Sequence, residues 1–568
     1  MLILSAATAA AAPRGAFLSP CDVPGVKEKA KCGTYEVWEN REAKRGRRIG
    51  LAVVVLPATG SPSEPDAITF LAGGPGLTAT SIAPFLASQY AALRKHRDIL
   101  LVDQRGTGGS HALECDLYPG KDPQTALGSF FPVDRVRECR ATLEKTADLR
   151  MYTTAPSMDD LDEVRGALGY DRLDVFGRSY GTRAALVYIG RHPDHVRTAV
   201  LQGIDPTDDP APLHFPRYAQ QAIENIFSDC RQDPACRTAF PNLPSELRSI
   251  VARTTAKPVP VDILDPKTGD PVHVSLSRNL LGEALRYLMY ESATAVYVPD
   301  LVHQAAEGDF APLAEFALGS RQQLFYGVGQ GLYLSVTCAE DLPFITSSEA
   351  QRAAAGTFLG DYRYEQQRAA CGAWVRGPIP AGFRKPLSAS TPVLLFSGTW
   401  DPVTPVSNAE KVAATLSHSL SAVIPAGGHD YEGLTGADAC VTAITSRFVE
   451  EAKSAGIDTS CLGKIRRPPF PTKAVDTRPV RLRGDQESAL TGKYAGEGAP
   501  PLEISIEAGK LIAHVGGIPP LVLVPVAPAR LRILGDIGSH LDFTIENGKA
   551  SGVVLEQGGS RVFTWKRM

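Results

Sequence analysis

The chain has 568 residues, which at about 150 per domain allows three or four domain-sized units and a large buried core. Its 59 Lys and Arg against 62 Asp and Glu give a net charge of −3, and 43% of residues are hydrophobic. That is a globular balance without the basic excess that nucleic-acid binding needs. The longest apolar stretches, Leu2 to Ala12 and Ile49 to Pro57, fall short of the roughly 18 residues of a membrane-spanning helix, so no integral membrane segment is expected.

The opening Met1-Leu-Ile-Leu-Ser-Ala-Ala-Thr-Ala-Ala-Ala-Ala-Pro13 combines an apolar run with Ala-x-Ala sites but has no basic n-region. Residues 1–16 therefore read as a truncated signal segment, with a disordered Ala-rich start as the alternative.

From residue 17 to 205, short β-branched runs recur at Gly50 to Leu56, Ala67 to Leu71, Ile99 to Val102, Leu173 to Phe176 and Thr198 to Leu201. Such runs suit buried strands of a mostly parallel sheet. The apolar positions of Met158 to Leu168 follow a helical period, and the alternation of the two patterns predicts an α/β layered fold. Residues 206–385 read as mainly helical, through Ala219 to Phe227, Leu280 to Tyr290 and Ala295 to Ala306. Strand signals return at Val393 to Ser397 and Ser421 to Ile424, so the helical block is expected as a cap inserted into one sheet, whose second part covers 386–471. Residues 480–568 carry short strand runs at 502–506, 510–514, 521–526, 531–534, 541–545 and 552–555, separated by turn residues, which predicts a small β-barrel-like domain.

The ten cysteines, at 21, 32, 115, 139, 230, 236, 338, 371, 440 and 461, include no Cys-x-x-Cys pair and no zinc-finger spacing. Read as neighbours they give Cys21 with Cys32, Cys115 with Cys139, Cys230 with Cys236, Cys338 with Cys371 and Cys440 with Cys461. Sequence alone fixes no connectivity, and ten reduced core thiols remain the alternative. The even count and local spacing favour disulfides and an oxidising, secreted or periplasmic setting.

The strongest chemical signal is Gly177-Arg-Ser179-Tyr-Gly181, which follows a strand and opens a helix. This is the context of a nucleophile elbow, where small residues let a sharp turn project the Ser hydroxyl. Upstream, Ala72-Gly73-Gly74-Pro75-Gly76 could turn backbone amides toward a substrate oxygen. We assign the oxyanion hole to the amides of Gly74 and Tyr180. A serine nucleophile needs a base and an orienting acid. Asp401, after the strand run 393–397, and His429, after Ser421 to Ile424 and a Gly-Gly turn, supply them in the order Ser, Asp, His. Asp205 also ends a strand and is the rival acid. Asp103-Gln-Arg105-Gly-Thr-Gly lacks a P-loop ending and reads as a structural ion pair or turn.

Together the Gly-Gly-Pro-Gly turn, Asp-Gln-Arg-Gly-Thr-Gly, Gly-Arg-Ser-Tyr-Gly-Thr, Gly-Thr-Trp-Asp-Pro-Val-Thr-Pro and Gly-Gly-His resemble the proline iminopeptidase and tripeptidyl aminopeptidase family of α/β-hydrolases, over about residues 30 to 470. Leu334-Ser-Val-Thr-Cys338-Ala-Glu340-Asp341 and the late cysteines are similar to the secreted tripeptidyl aminopeptidase branch. Typical iminopeptidases carry His before Gly-Gly-Pro-Gly, where this chain has Ala72, a departure that points away from strict proline iminopeptidase activity. The resemblance implies an α/β-hydrolase core and acyl-enzyme chemistry without cofactor or metal. It also implies a cap carboxylate, Glu340 first and Asp341 second, that binds the free ammonium of a peptide substrate. A carboxylesterase or lipase on the same triad, or an inactive envelope-binding homologue, is the alternative. Ser179 at the nucleophile position disfavours the epoxide hydrolases and dehalogenases, which use Asp. Neither the length of peptide released nor the oligomeric state is legible.

Overall fold

The computed structural model describes residues 15–118, 122–323, 328–473, 479–496, 499–516 and 518–568. The Ala-rich opening, residues 1–14, lies outside them. The core is a nine-stranded sheet in the order β1-β2-β3-β5-β4-β6-β7-β10-β11. Its strands are β1 Leu18–Cys21, β2 Ala30–Trp38, β3 Arg48–Leu56, β4 Ala67–Leu71, β5 Asp98–Val102, β6 Leu173–Arg178, β7 Val196–Gln202, β10 Val393–Gly398 and β11 Ser419–Ile424. The first three pair antiparallel and the remainder run parallel from β5 to β11. In the parallel region successive strands are covered on both faces, which is why β6 and β10 are buried almost throughout and read as unbroken apolar runs.

Between β7 and β10 lie helices including Phe215–Gln232, Leu243–Ala256, Arg278–Leu288, Val298–Glu307 and Gln330–Glu340. This region also carries an antiparallel hairpin, β8 Val259–Leu264 and β9 Pro271–Leu276. The alternation of buried and exposed residues in Val259-Pro-Val-Asp-Ile-Leu264 places one face of that hairpin on the helices. Phe215–Gln232 buries Ala219, Ala222, Ile223, Ile226 and Phe227 on one stripe.

Eight antiparallel strands after residue 490 close into a barrel, from β12 Gly492–Ala495 through β13 Leu502–Glu507, β14 Lys510–Val515, β15 Leu521–Ala527, β16 Arg530–Ile533, β17 Ser539–Glu546 and β18 Lys549–Gln557 to β19 Ser560–Arg567. Closure pairs β12 with β19 and leaves no free sheet edge. Leu490, Tyr494, Ile504, Leu531, Phe543, Val553 and Trp565 are among the side chains that fill it. The barrel docks on the helical region through the buried ion pair of Arg532 with Glu315. Nearer the core, Gln557 Nε2 donates to Glu291 at 3.1 Å, and Glu291 bridges Asp430, the residue after His429.

The ten cysteines are bonded 21 to 32, 115 to 139, 230 to 236, 338 to 371 and 440 to 461.

Candidate active site

Ser179 stands between β6 and the helix Tyr180–Arg191 with φ 56° and ψ −128°, a strained geometry for a residue with a side chain. The flanking glycines follow from the space available. A Cβ at position 181 would stand 2.0 Å from the Leu71 carbonyl oxygen, and one at 177 would stand 2.5 Å from that of Gly181. Only bare backbone lets the strand turn so tightly into the helix. Tyr180 opens that helix, so its amide has no acceptor four residues back and is free for a ligand. The Gly73-Gly74 turn abuts the same point, because a Cβ on Gly73 would lie 3.1 Å from Ser179 Cβ. Gly74 holds φ +110°, a value that bare backbone adopts at little cost.

Asp401 and His429 meet beyond the carboxyl ends of β10 and β11. His429 Nδ1 lies 2.9 Å from Asp401 Oδ2 and 3.0 Å from Thr404 Oγ1. Asp401 Oδ1 accepts from the amides of Val403 and Thr404 at 2.8 and 2.9 Å. Burial alone would raise the Asp401 carboxyl; the neighbouring imidazole and these hydrogen bonds instead hold it below its ordinary value. The histidine loop is tied to the serine side by Gln202 Nε2, which donates to the His429 carbonyl at 3.4 Å, while the Gln202 carbonyl accepts from the Ser179 amide at 2.9 Å. Arg178 and Asp430, the residues next to Ser179 and His429, form an ion pair. Among the described residues no hydrogen bond joins Ser179 Oγ to the imidazole, as is frequent before substrate tightens a site.

Ser179, Gly74 and Tyr180 line a cavity of about 100 Å³ whose other walls include Asp205, Asp209, Tyr290, Tyr333 and Asp341. The two acids singled out from sequence part company here. Asp341 faces this cavity, whereas Glu340 lies behind its wall, accepting from the Thr154 amide and hydroxyl, each at 2.7 Å. Burial pushes the Glu340 carboxyl up to about 7. Asp341 is itself engaged, since Arg183 Nη1 donates to it at 2.7 Å and the Ala211 amide at 3.1 Å.

Among the described residues no hydrogen bond or ion pair joins Asp205 to His429, whose carboxylate partner is Asp401. One oxygen of Asp205 accepts from Arg183 Nη2 at 2.9 Å, and its side chain keeps 19% of its surface exposed. Burial raises its carboxyl to about 7 against the pull of Arg183, with the carboxyls of Asp341 and Asp209 adding to the rise. Asp209 was not visible as a site residue from sequence, having no motif around it; it accepts from His214 and Tyr218, each at 2.6 Å.

Asp103 and Arg105 do not pair with each other. Asp103 accepts from the Thr80 amide and hydroxyl and from the Gly109 amide, and Arg105 forks onto Asp160 at 2.6 and 2.8 Å. Both are structural, and the expected ion pair is replaced by two separate networks because Asp160 already waits, buried, for a cation.

Residues 66–257 match a family model described as alpha/beta hydrolase fold, and residues 356–461 match one described as TAP-like protein. The fold is that of the α/β-hydrolases. The chain is similar to the serine protease Hip1 of Mycobacterium tuberculosis, 25% identical over 435 residues, covering 69% of this chain and 80% of the relative. Carboxylesterase B of the same organism is 28% identical over 434 residues, covering 69% and 79%. The tripeptidyl aminopeptidase of Streptomyces coelicolor is 29% identical over 191 residues, covering 31% of this chain and 35% of the relative. An α/β-hydrolase fold with Ser179 in the elbow supports a serine hydrolase.

Proposed function

We propose that the protein is a serine exopeptidase that hydrolyses peptide bonds near a free amino terminus. In this reading Ser179 Oγ attacks the scissile carbonyl while His429 takes its proton and later returns it to the leaving amine. Asp401 holds the imidazole, and the amides of Tyr180 and Gly74 receive the oxyanion. Water then repeats the sequence on the acyl-enzyme and releases the amino-terminal fragment.

The observation that carries the exopeptidase reading is that Ser179 opens on a small cavity whose wall, beside the guanidiniums of Arg183, Arg286 and Arg363, includes the carboxylates of Asp205, Asp209 and Asp341. A substrate ammonium placed among them gains charge-assisted hydrogen bonds that a blocked terminus lacks. Asp205 takes precedence over Glu340 for this contact, because it lines the cavity and remains partly exposed, whereas the oxygens of Glu340 are held by Thr154. Five disulfides support a secreted or periplasmic site of action.

The test compares peptide anilides of one to three residues, with free or acetylated amino termini, beside a simple ester. Cleavage restricted to the free terminus, lost in Ser179→Ala and weakened through KM in Asp205→Asn, supports the proposal. Equal cleavage of blocked peptides, or of the ester alone, moves the reading to a carboxylesterase, as the likeness to carboxylesterase B would allow. Hydrolysis that survives Ser179→Ala overturns the mechanism.

A further inference from the structure

The helix that begins beside Ser179 ends, about 18 Å away by its twelve residues, in a second cluster of chemically capable side chains. His192 caps the helix Tyr180–Arg191, and His195 ends the short turn Pro193–His195 that follows. Facing them, the helix Thr154–Leu168 presents Asp159 and Asp162 three residues apart, hence on one face. One ligand atom each from Asp162, His192 and His195 lies within 4.8 Å of the other two. His195 Nδ1 is 2.7 Å from Asp162 Oδ1, and His192 Nδ1 is 3.5 Å from Asp162 Oδ2.

Two further observations point to a cation. The other nitrogen of His192, Nε2, stands 3.0 Å from Asp159 Oδ1. A carboxylate behind an imidazole fixes the tautomer and turns the opposite nitrogen lone pair toward a metal. In addition, His195 Nδ1 is approached both by the Asp162 carboxylate and, at 3.0 Å, by Arg165 Nη2. A ring nitrogen can donate to the carboxylate or accept from the guanidinium, but not both at once. Asp162 Oδ1 also accepts from Arg165 Nε at 2.8 Å and from the Tyr188 hydroxyl at 3.0 Å, so the carboxylate oxygen offered to an ion is Oδ2, 3.5 Å from His192 Nδ1, with the His195 lone pair beside it. Arg165 keeps its bond to the Tyr170 carbonyl oxygen at 2.6 Å and its Nε contact with Asp162 Oδ1 at 2.8 Å when the contact to His195 is given up.

We propose that Asp162, His192 and His195 form a binding site for one divalent transition-metal ion, remote from the serine. Two imidazoles and one carboxylate suit Zn²⁺, Cu²⁺ or Ni²⁺ better than Ca²⁺ or Mg²⁺, which prefer all-oxygen sets. Side-chain exposures of 17%, 20% and 37% leave a path for entry and room for water in a fourth position. The site ties together two helices that flank the sheet, so its role is structural and independent of the hydrolytic chemistry.

The chelator-treated full chain would be titrated with Zn²⁺ by calorimetry. It would separately be titrated with Co²⁺, read by its visible d–d absorption and by paramagnetically shifted imidazole protons. The expected result is one ion per chain, a rise in Tm at saturating Zn²⁺ and shifted signals from two imidazoles. Affinity should fall at least about tenfold in His192→Gln and in His195→Gln, with the hydrolytic rate of the parent protein unchanged by the chelator. Absence of binding overturns the proposal, as does binding that persists in the doubly substituted His192→Gln, His195→Gln chain. Should the variants fail to fold, a Co²⁺ spectrum of the parent protein with signals from fewer than two imidazoles overturns it equally.

Discussion

Asp341, at the end of the helix Gln330–Glu340, accepts a hydrogen bond at 2.7 Å from Arg183, which stands one helical turn beyond Ser179. The same guanidinium reaches Asp205 at 2.9 Å and the Asp209 carbonyl oxygen at 2.9 Å. One cation thus joins the serine helix, the segment after β7 and the end of the helix Gln330–Glu340. Replacing Arg183 by Met leaves Asp205 and Asp341 without their shared partner, and breaking a buried pair in this way costs on the order of 3–5 kcal/mol. The loss should be larger at pH 8, where the two carboxyls are driven to ionise, than at pH 5. Denaturant midpoints at the two pH values check this; equal losses would mean that packing rather than charge dominates.

Asp401→Asn should lower kcat by about 10⁴ while leaving Tm within a few degrees, because the amide keeps the shape but favours the wrong imidazole tautomer. Thr404→Val removes a hydroxyl that touches both Asp401 and His429. Its effect should be smaller, about tenfold to a hundredfold, since it removes a hydrogen bond to the ionised Asp401 carboxylate worth about 1.5–3 kcal/mol. Single-turnover rates on a free-terminus anilide, beside melting curves, separate the two.

Stability should fall as pH rises from 5 to 8 through the buried acids. Burial raises Glu340 and Glu291 from 4.5 to about 7. Between those values the folded chain holds protons that the unfolded chain has released, so unfolding becomes easier as pH rises and the effect is complete above about 7. Glu340→Gln removes one such group and should flatten the slope by up to one proton, with the Thr154 amide still bonded. Calorimetric melting across this range provides the measurement, and an unchanged slope in Glu340→Gln would remove this carboxyl from the account.

Reduction should destabilise the chain unevenly. The loop closed by Cys338 and Cys371 spans 33 residues, and that closed by Cys230 and Cys236 spans 6. On the chain-entropy model these lengths correspond to about 3.7 and about 2.2 kcal/mol. Paired serine substitutions at 338 and 371 should therefore lower the denaturant midpoint more than those at 230 and 236.

Strand runs such as Ala67 to Leu71 and Val393 to Ser397 were legible because a strand buried on both faces has to be continuously apolar. Less legible were β2, where Lys31, Thr34 and Glu36 interrupt a partly exposed strand beside an edge, and the first and last barrel strands, which contain Lys, Arg and Gly. Their strand form comes from pairing and not from an apolar run: Ala30–Trp38 pairs with the next strand, β3, and Gly492–Ala495 with Arg567 and Lys566 at the far end of the chain. The hairpin Val259–Leu264 with Pro271–Leu276, inside a mainly helical stretch, was hidden because its half-exposed strands carry Pro260, Asp262 and His273 among the apolar positions.

The sequence by itself determined the α/β-hydrolase class and the tight turn at Ser179, and it pointed to Asp401 and His429 at strand ends, because a strand-to-helix turn and strand-end loops are local constraints that leave a local pattern. Which acid faces the cavity was decided only by tertiary structure. Glu340 and Asp341 are adjacent and chemically alike, yet one turns back onto Thr154 and the other toward Arg183 and Ser179's cavity. That choice depends on Arg183 and Asp205, more than 130 residues upstream, being brought beside them, and no spacing in the chain records it.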